Sequence, residues 1–344
     1  MIENAQGNLL EADAEALVNT VNCIGYMGKG IALQFKQAFP DNFRAYQKIC
    51  LKHSLHPGQM FVFETGFLKN PKYVINFPTK RHWKGNAKIE DIKSGLVSLR
   101  HEVERLKIKS IAVPPLGCGL GGLDWNQVRP LIEGAFATLP DVHVLLYAPA
   151  GAPDPRTMPI RTTKPRMTPG RAMVIKLMAQ YGELSYRLTL LEIQKLGYFL
   201  QEAGENLRLR YVQHIYGPYA ANLNKVLEAM EGHYTRGYGD SQKPDVEIDL
   251  LPQAVPEAEH FMAGHELSQQ RLDRVATLIK GFETPYGMEL LASVHWVCKH
   301  QNPPAVNADQ AVDAVHAWNE RKCTMFKSDH IRVAWSQLNS QGWL

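Results

Sequence analysis

Short apolar runs rich in Val and Ile alternate with stretches whose apolar residues fall three and four apart, and the alternation holds to about residue 150. The runs are Ala16–Val21, Met60–Glu64, Tyr73–Phe77, Ile111–Pro114 and His143–Tyr147. They read as strands buried on both faces. Between them, Gly30–Ala38, Ile89–Leu106 and Trp125–Thr138 carry the spacing of amphipathic helices. Strand and helix in turn predict an α/β domain, a largely parallel sheet with helices on both faces.

The pattern stops at Gly151–Arg171, which holds five prolines and no apolar period. This stretch reads as a linker or an extended arm. Beyond it, Met173–Gln180, Thr189–Ala203, Ala220–Met230, Gln269–Lys280, Met288–Lys299, Asp309–Trp318 and His330–Leu338 read as helices. A chain of 344 residues exceeds one ordinary domain. The expected division is therefore an α/β domain over 1–150, a Pro-rich linker over 151–170 and a mainly helical domain over 171–344.

No window approaches the roughly 18 consecutive apolar residues that span a bilayer, and the opening MIENAQGNLLEADAEAL has no signal-peptide pattern. The five cysteines, at 23, 50, 118, 298 and 323, form no CxxC pair. A disulfide framework or structural zinc site is not expected, and a reducing cytoplasm is. Charge divides unevenly. Residues 1–150 carry 17 Lys/Arg against 13 Asp/Glu, whereas residues 171–344 carry 17 against 20. A basic first half suits a phosphate-rich ligand, and the second lacks the excess of an independent DNA binder.

In open α/β folds ligands bind beyond the carboxyl ends of the strands. Two Gly-rich segments fall there. NTVNCIGYMGKGIALQF joins the first strand to the helix at Gly30, and PPLGCGLGGLDW joins the strand ending at Pro114 to the helix at Trp125. Glycines let a backbone approach a ligand closely, and helix starts favour a diphosphate. One such loop alone is a tight turn; two in one domain, with Asn19 and Asn22 closing the first strand, point to a ligand. The spacing fits neither GxGxxG nor GxxxxGK[ST], which sets aside dinucleotide-fold and P-loop readings.

The run GNLLEADAEALVNTVNCIGYMGKGIALQFKQAFP resembles the opening of a macrodomain, a mixed, mostly parallel sheet flanked by helices, and PPLGCGLGGLDW resembles its second phosphate loop. The resemblance covers about residues 1–150. With NFPTKRHWKG and its Lys80, the chain is similar to the DarG-type branch, antitoxins that remove the ADP-ribose a DarT-type toxin attaches to thymine in single-stranded DNA. The resemblance implies ADP-ribose as ligand and product, no other cofactor and no metal. It places Asn8 and Leu9 near the adenine and has Asn22 hold the distal ribose, with Thr20 and Thr79 in the lining. Gly28, Lys29, Gly30 and Ile31 would wrap one side of the diphosphate, and Pro115, Leu116, Gly117, Cys118, Gly119, Leu120 and Gly121 the other. Many macrodomains have Asp in place of Asn8; an amide oxygen still accepts from an adenine amino group.

Lys80 is the implied catalyst. A lysine amine of lowered pKa attacks an anomeric carbon or forms a Schiff base with the ring-opened sugar. Without the resemblance it is one of 17 basic residues in this half. A human relative in this branch carries Asp where this chain has Gly121, which leaves the proton-transfer role unassigned. Arg81, His82, Trp83 and Lys84 interleave charge and aromatic surface, as single-strand cradles do, and equally fit a solvated loop. His82 is the second catalytic candidate. Cys23 and Cys118 read as small buried residues, and Asp124 as a helix cap.

The second domain has no catalytic motif; its histidines, at 214, 233, 260, 265, 295, 300, 316 and 330, are scattered. LEIQKLGYFLQEAGENLRLRYVQHIYGPYAANLNKVLEAMEG more loosely resembles winged-helix-like antitoxin domains, with Tyr216–Tyr219 as a turn packed on Leu196–Leu200. That implies direct binding of the toxin. Two other readings stand beside this one: a non-catalytic ADP-ribose reader, and a hydrolase of another adduct such as a protein glutamate ester or O-acetyl-ADP-ribose.

Overall fold

The structure is a computed structural model describing residues 1–149, 158–182, 188–239 and 247–344. Two compact units emerge, one built from residues 1–163 with the stretch 239–242, the other from the remainder. Residue 150 and the start of the expected linker, residues 151–157, lie outside the described residues. Residues 158–163 group with the first unit, where Arg161 donates its N–H to the Gln37 carbonyl at 2.8 Å and stacks its guanidinium 4.7 Å from the Phe67 ring.

In the first unit the chain runs β1 (Ile2–Ala5), β2 (Ala16–Asn22), α1 (Gly30–Ala38), α2 (Pro40–Leu51), β3 (Phe61–Glu64), β4 (Tyr73–Lys80), α3 (Ile89–Arg105), β5 (Ser110–Val113), α4 (Trp125–Phe136) and β6 (His143–Tyr147). One six-stranded sheet orders them β1-β6-β5-β2-β4-β3. Every pairing is parallel except β3 on β4. Alternate residues explain the continuous apolar runs. Ala16, Val18, Ile75 and Phe77 pack under α3 and α4, while Leu17, Val74 and Ala112 pack with Phe35 of α1. The expected α/β architecture is present.

Two elements escape the apolar pattern. β1 reads IENA and is largely exposed, yet it pairs with β6 from Ile2↔Val144. α2 starts at Pro40, whose missing N–H costs nothing at a first helical position. Only Asn42, Tyr46 and Cys50 of α2 are buried.

β4 also outruns its expectation, which ended at Phe77. A proline in a central strand breaks the ladder, but β3 pairs only with Tyr73–Asn76. Pro78 therefore has a strand on one side alone, and there the register slips: Val21 faces Pro78 and Asn22 faces Lys80. Such a bulge re-aims the side chains beyond it.

The second unit holds α5 (Pro169–Gly182), α6 (Leu190–Glu202), the hairpin β7–β8 (Tyr211–His214, Gly217–Ala220) and α7 (Leu223–Met230). It continues through β9 and β10 (Thr235–Arg236, Asp249–Leu250), α8 (Ala254–Met262), α9 (Glu266–Ile279), α10 (Pro285–Lys299), α11 (Ala308–His316), α12 (Glu320–Met325) and α13 (Ser328–Ser340). Mainly helical content is as expected. A Thr189/Glu192 capping box starts α6. The expected Tyr216–Tyr219 turn is instead the reversal and second strand of the hairpin. Lys195 on α6 holds it by donating to the Pro218 carbonyl at 2.7 Å.

Gly95 on α3 is buried against β4, and a Cβ there would overlap the Phe77 ring. An alanine in a helix interior normally stabilises, but overpacking costs about 1–3 kcal/mol. Gly95→Ala should therefore lower stability in urea unfolding by about that amount. A gain in stability would show that Phe77 moves freely.

Candidate functional site

Because β5, β2 and β4 are neighbours running in parallel, the loops after their carboxyl ends meet on one side of the sheet. These are the two Gly-rich loops and the Arg81–Lys88 segment. The Lys80 amine donates to the Leu120 carbonyl. A Cβ on Gly30 would lie 3.4 Å from Leu120 Cδ1. Ala87 N–H donates to the Gly121 carbonyl at 3.0 Å, and Cys23 N–H to the Arg81 carbonyl at 3.3 Å. The parts that the sequence singled out separately thus form one cluster.

Asn22 organises the first loop. Its Oδ1 accepts from Ile24 N–H at 3.0 Å and Tyr26 N–H at 3.3 Å, while its Nδ2 donates to the Tyr26 carbonyl at 2.5 Å. Tyr46, fully buried on α2, donates its hydroxyl to the Asn22 carbonyl at 2.7 Å. Much of the Asn22 amide is therefore spent on its own loop, and sequence spacing gave no sign of Tyr46. Asn19 is buried below, bonded at 3.0 Å to Asn76, which exchanges bonds with Asn42. No side chain caps α1, a setting in which a helix start accepts an anion. Its Gly30 N–H is engaged at 2.7 Å by the carbonyl of Gly239. A diphosphate would share or displace that bond.

The second loop closes on itself. Leu123 N–H donates to the Gly117 carbonyl, Cys118 N–H to Pro115 and Gly122 N–H to Gly119. A Cβ at Gly121 would overlap the Gly117 carbonyl oxygen. That crowding explains why Gly, rather than Asp, stands at 121 in a loop of this shape. Leu116 and Gly117 are buried, Pro115 and Cys118 partly so, and Gly119 and Leu120 are exposed.

Lys80 is half-buried, and burial holds its amine below the usual lysine range. Arg81 is committed to Asp91 of α3 through two bonds of 2.5 and 3.0 Å. His82 stacks on Trp83 with ring centres 5.6 Å apart, and its Nδ1 accepts from Lys84 N–H. Tyr26 approaches Trp83 at 5.7 Å, and Lys84 Nζ lies 5.1 Å over the same ring. Trp83 is nonetheless 40% exposed. Cys23 and Cys118, expected to be buried, are partly exposed; partial burial pushes both thiols up to about 11, so they stay protonated. Asp124 caps α4 through Asn126 N–H, as expected. Asn8 is buried with Leu9; its Oδ1 caps Leu10 N–H at 3.0 Å, and its Nδ2 lies 3.5 Å from Met158 Sδ. Thr79 donates to the Val21 carbonyl at 3.5 Å. Thr20 lies on β2, partly buried, and Gly28 is buried while Lys29 and Ile31 are partly so.

Residues 18–132 match the family model described as "Macro domain". A protein of Thermus aquaticus named DNA ADP-ribosyl glycohydrolase is 46% identical over 344 residues, covering 100% of this chain and 94% of its own. One of the same name from Mycobacterium tuberculosis is 41% identical over 354 residues, covering 98% and 99%. The chain belongs to the DNA ADP-ribosyl glycohydrolase family. A third relative is the Thermosipho africanus DNA ADP-ribosyl transferase-DNA ADP-ribosyl glycohydrolase fusion protein. It is 35% identical over 159 residues, covering 42% of this chain and 41% of its own. The first unit of this glycohydrolase-family chain is a macrodomain.

Within that macrodomain, Tyr46 is the buried support of the Asn22 loop. Tyr46→Phe should cost about 1 kcal/mol and speed amide exchange at Ile24 and Tyr26 while leaving β4 protected. Unchanged exchange at those two amides would show that the loop holds without the hydroxyl.

Proposed function

We propose that the first unit removes ADP-ribose from thymidine in single-stranded DNA, and that residues 171–344 bind and neutralise the DarT-type ADP-ribosyltransferase that adds it. The observation that carries the first half is the half-buried Lys80 amine held where the two Gly-rich loops meet. The second half is supported by the relative that joins a transferase and a glycohydrolase in one fusion protein. Residues 151–170 connect the two activities. No helix among the described residues is long and apolar enough to cross a membrane.

In this reading the diphosphate sits between the start of α1 and the Gly117–Gly122 loop, two sets of donors clamping one dianionic group. Asn8 and Leu9 face the adenine, Asn22 orients the distal ribose, and Thr20 and Thr79 line the floor. The neutral Lys80 amine attacks the anomeric carbon. The bond to the thymine ring nitrogen breaks, its electron pair leaves on the imide, spread over two carbonyl groups, and the imide takes up the proton that the alkylated amine loses. Ring opening then gives a Schiff base that water cleaves to free ADP-ribose and the amine. A delocalised imide is a weak base, so departure needs little help from an acid. That removes the need for a carboxylate at the crowded Gly121 position.

Trp83 extends the site outward. An exposed indole backed by Tyr26 and His82, with Lys84 over the ring, offers a base a stacking platform beside the amine.

Purified protein and Lys80→Ala should be incubated with an oligonucleotide carrying ADP-ribose on thymine, with release read by gel mobility. Release is expected from the native chain alone, with ADP-ribose affinity of the variant within a few-fold. Release by both moves the catalyst to another residue, His82 first. Binding without release by either makes the chain a reader or a hydrolase of another adduct.

The rate should rise with pH and level off once the Lys80 amine is neutral. Its depressed pKa places that rise below the range of an ordinary lysine. A rate that falls with pH would assign Lys80 a cationic role. Trp83→Ala should weaken binding of the modified oligonucleotide by about 1–3 kcal/mol and leave free ADP-ribose binding unchanged. Equal loss for both ligands would place Trp83 in the ADP-ribose pocket instead.

A further inference from the structure

In the second unit, two helices end against each other in a way that their charge does not favour. Glu202 is the last residue of α6, and His300 caps α10. The carbonyl end of a helix carries about half a negative charge, so a carboxylate in the last turn is disfavoured. Here two such ends and one carboxylate come together, and the ion-pair partner of Glu202 is a histidine. Its Oε1 lies 3.0 Å from His300 Nε2.

A second histidine completes the group. His295 lies within α10 at 1% exposure, and one ligand atom from each of Glu202, His295 and His300 falls within 4.8 Å of the others. Among the described residues no other trio of His, Cys, Asp or Glu comes together this way. Trp296 stacks on His300 with ring centres 4.6 Å apart, which fixes the plane of the imidazole.

We propose that Glu202, His295 and His300 bind one zinc ion, with water in the fourth position, clamping the end of α6 to the end of α10. Tetrahedral zinc with nitrogen and oxygen ligands sets neighbouring donor atoms about 3.3 Å apart. The Glu202–His300 pair already stands near that value, and a donor atom of His295 lies within 4.8 Å of both, so the ion has only to draw the three together. His295 is already engaged, by the Tyr198 hydroxyl 2.7 Å from its Nδ1 and by the Trp343 backbone, and the ion must displace or recruit one of these partners. Sequence spacing gave no sign of the site, because Glu202 and His300 are 98 residues apart. This inference is independent of the macrodomain chemistry.

The test uses the full chain stripped with a chelator and titrated with zinc chloride by calorimetry. One equivalent should bind, and Glu202→Gln and His300→Ala should each weaken binding at least tenfold, the lower bound for loss of a supporting group at a metal site. Both residues lie at helix ends, so circular dichroism without zinc should match the native protein. Tyr198→Phe should bind at least as well as the native chain. Absence of binding, or the same isotherm in the Glu202 and His300 variants, would overturn the proposal and leave an ordinary ion pair.

Discussion

The first unit depends on the pairing of β2 with β4 past the point where β3 stops. Up to Asn76, β4 is hydrogen-bonded on both sides; beyond it, only β2 holds the strand. That one-sided stretch is where Pro78 is tolerated and where the register slips, bringing Lys80 opposite Asn22. Had β3 been two residues longer, the proline would have broken a ladder and the lysine would have pointed elsewhere. The remaining parts are arranged around that placement. The Gly117–Gly122 loop offers Leu120 O to the amine, and the Arg81–Asp91 pair fixes the chain as it leaves the strand.

Burial and hydrogen bonding then set the chemistry. A lysine on an open surface is a cation with no nucleophilic lone pair at neutral pH. Half-burial at the sheet edge disfavours the charge. Glycine at 30 leaves room for Leu120 against the first Gly-rich loop, and the closure of the second loop on itself excludes a side chain at 121. The same crowding leaves no room for an acid at 121, a loss the proposed reaction tolerates because its leaving group is an imide.

The β2, β6, α1, α3 and α4 elements were legible because a parallel sheet covered on both faces produces dense apolar runs, and its helices show one apolar face. β1 and α2 were not. IENA is an exposed edge strand that pairs through backbone alone, and α2 buries only three residues, two of them polar or aromatic. Both Gly-rich loops were visible because glycine is informative at strand ends, whereas Lys80 stood out from the other basic residues only through the family resemblance. Tyr46 and Asp91 were not, since a support residue is recognised only by what it touches. In the second unit most helices were legible, but α8, α12 and the hairpin were not. Gly217 and Pro218 are turn residues by composition, and they stand in a strand because buried Lys195 bonds the Pro218 carbonyl.

The most direct measurement is a crystal structure of the chain with ADP-ribose bound. The account predicts a diphosphate between the first turn of α1 and residues 117–122. It also predicts the anomeric carbon of the distal ribose in near-attack range of Lys80 Nζ, about 3–3.5 Å. A ligand bound with that carbon turned away from Lys80, or bound elsewhere on the chain, would contradict it.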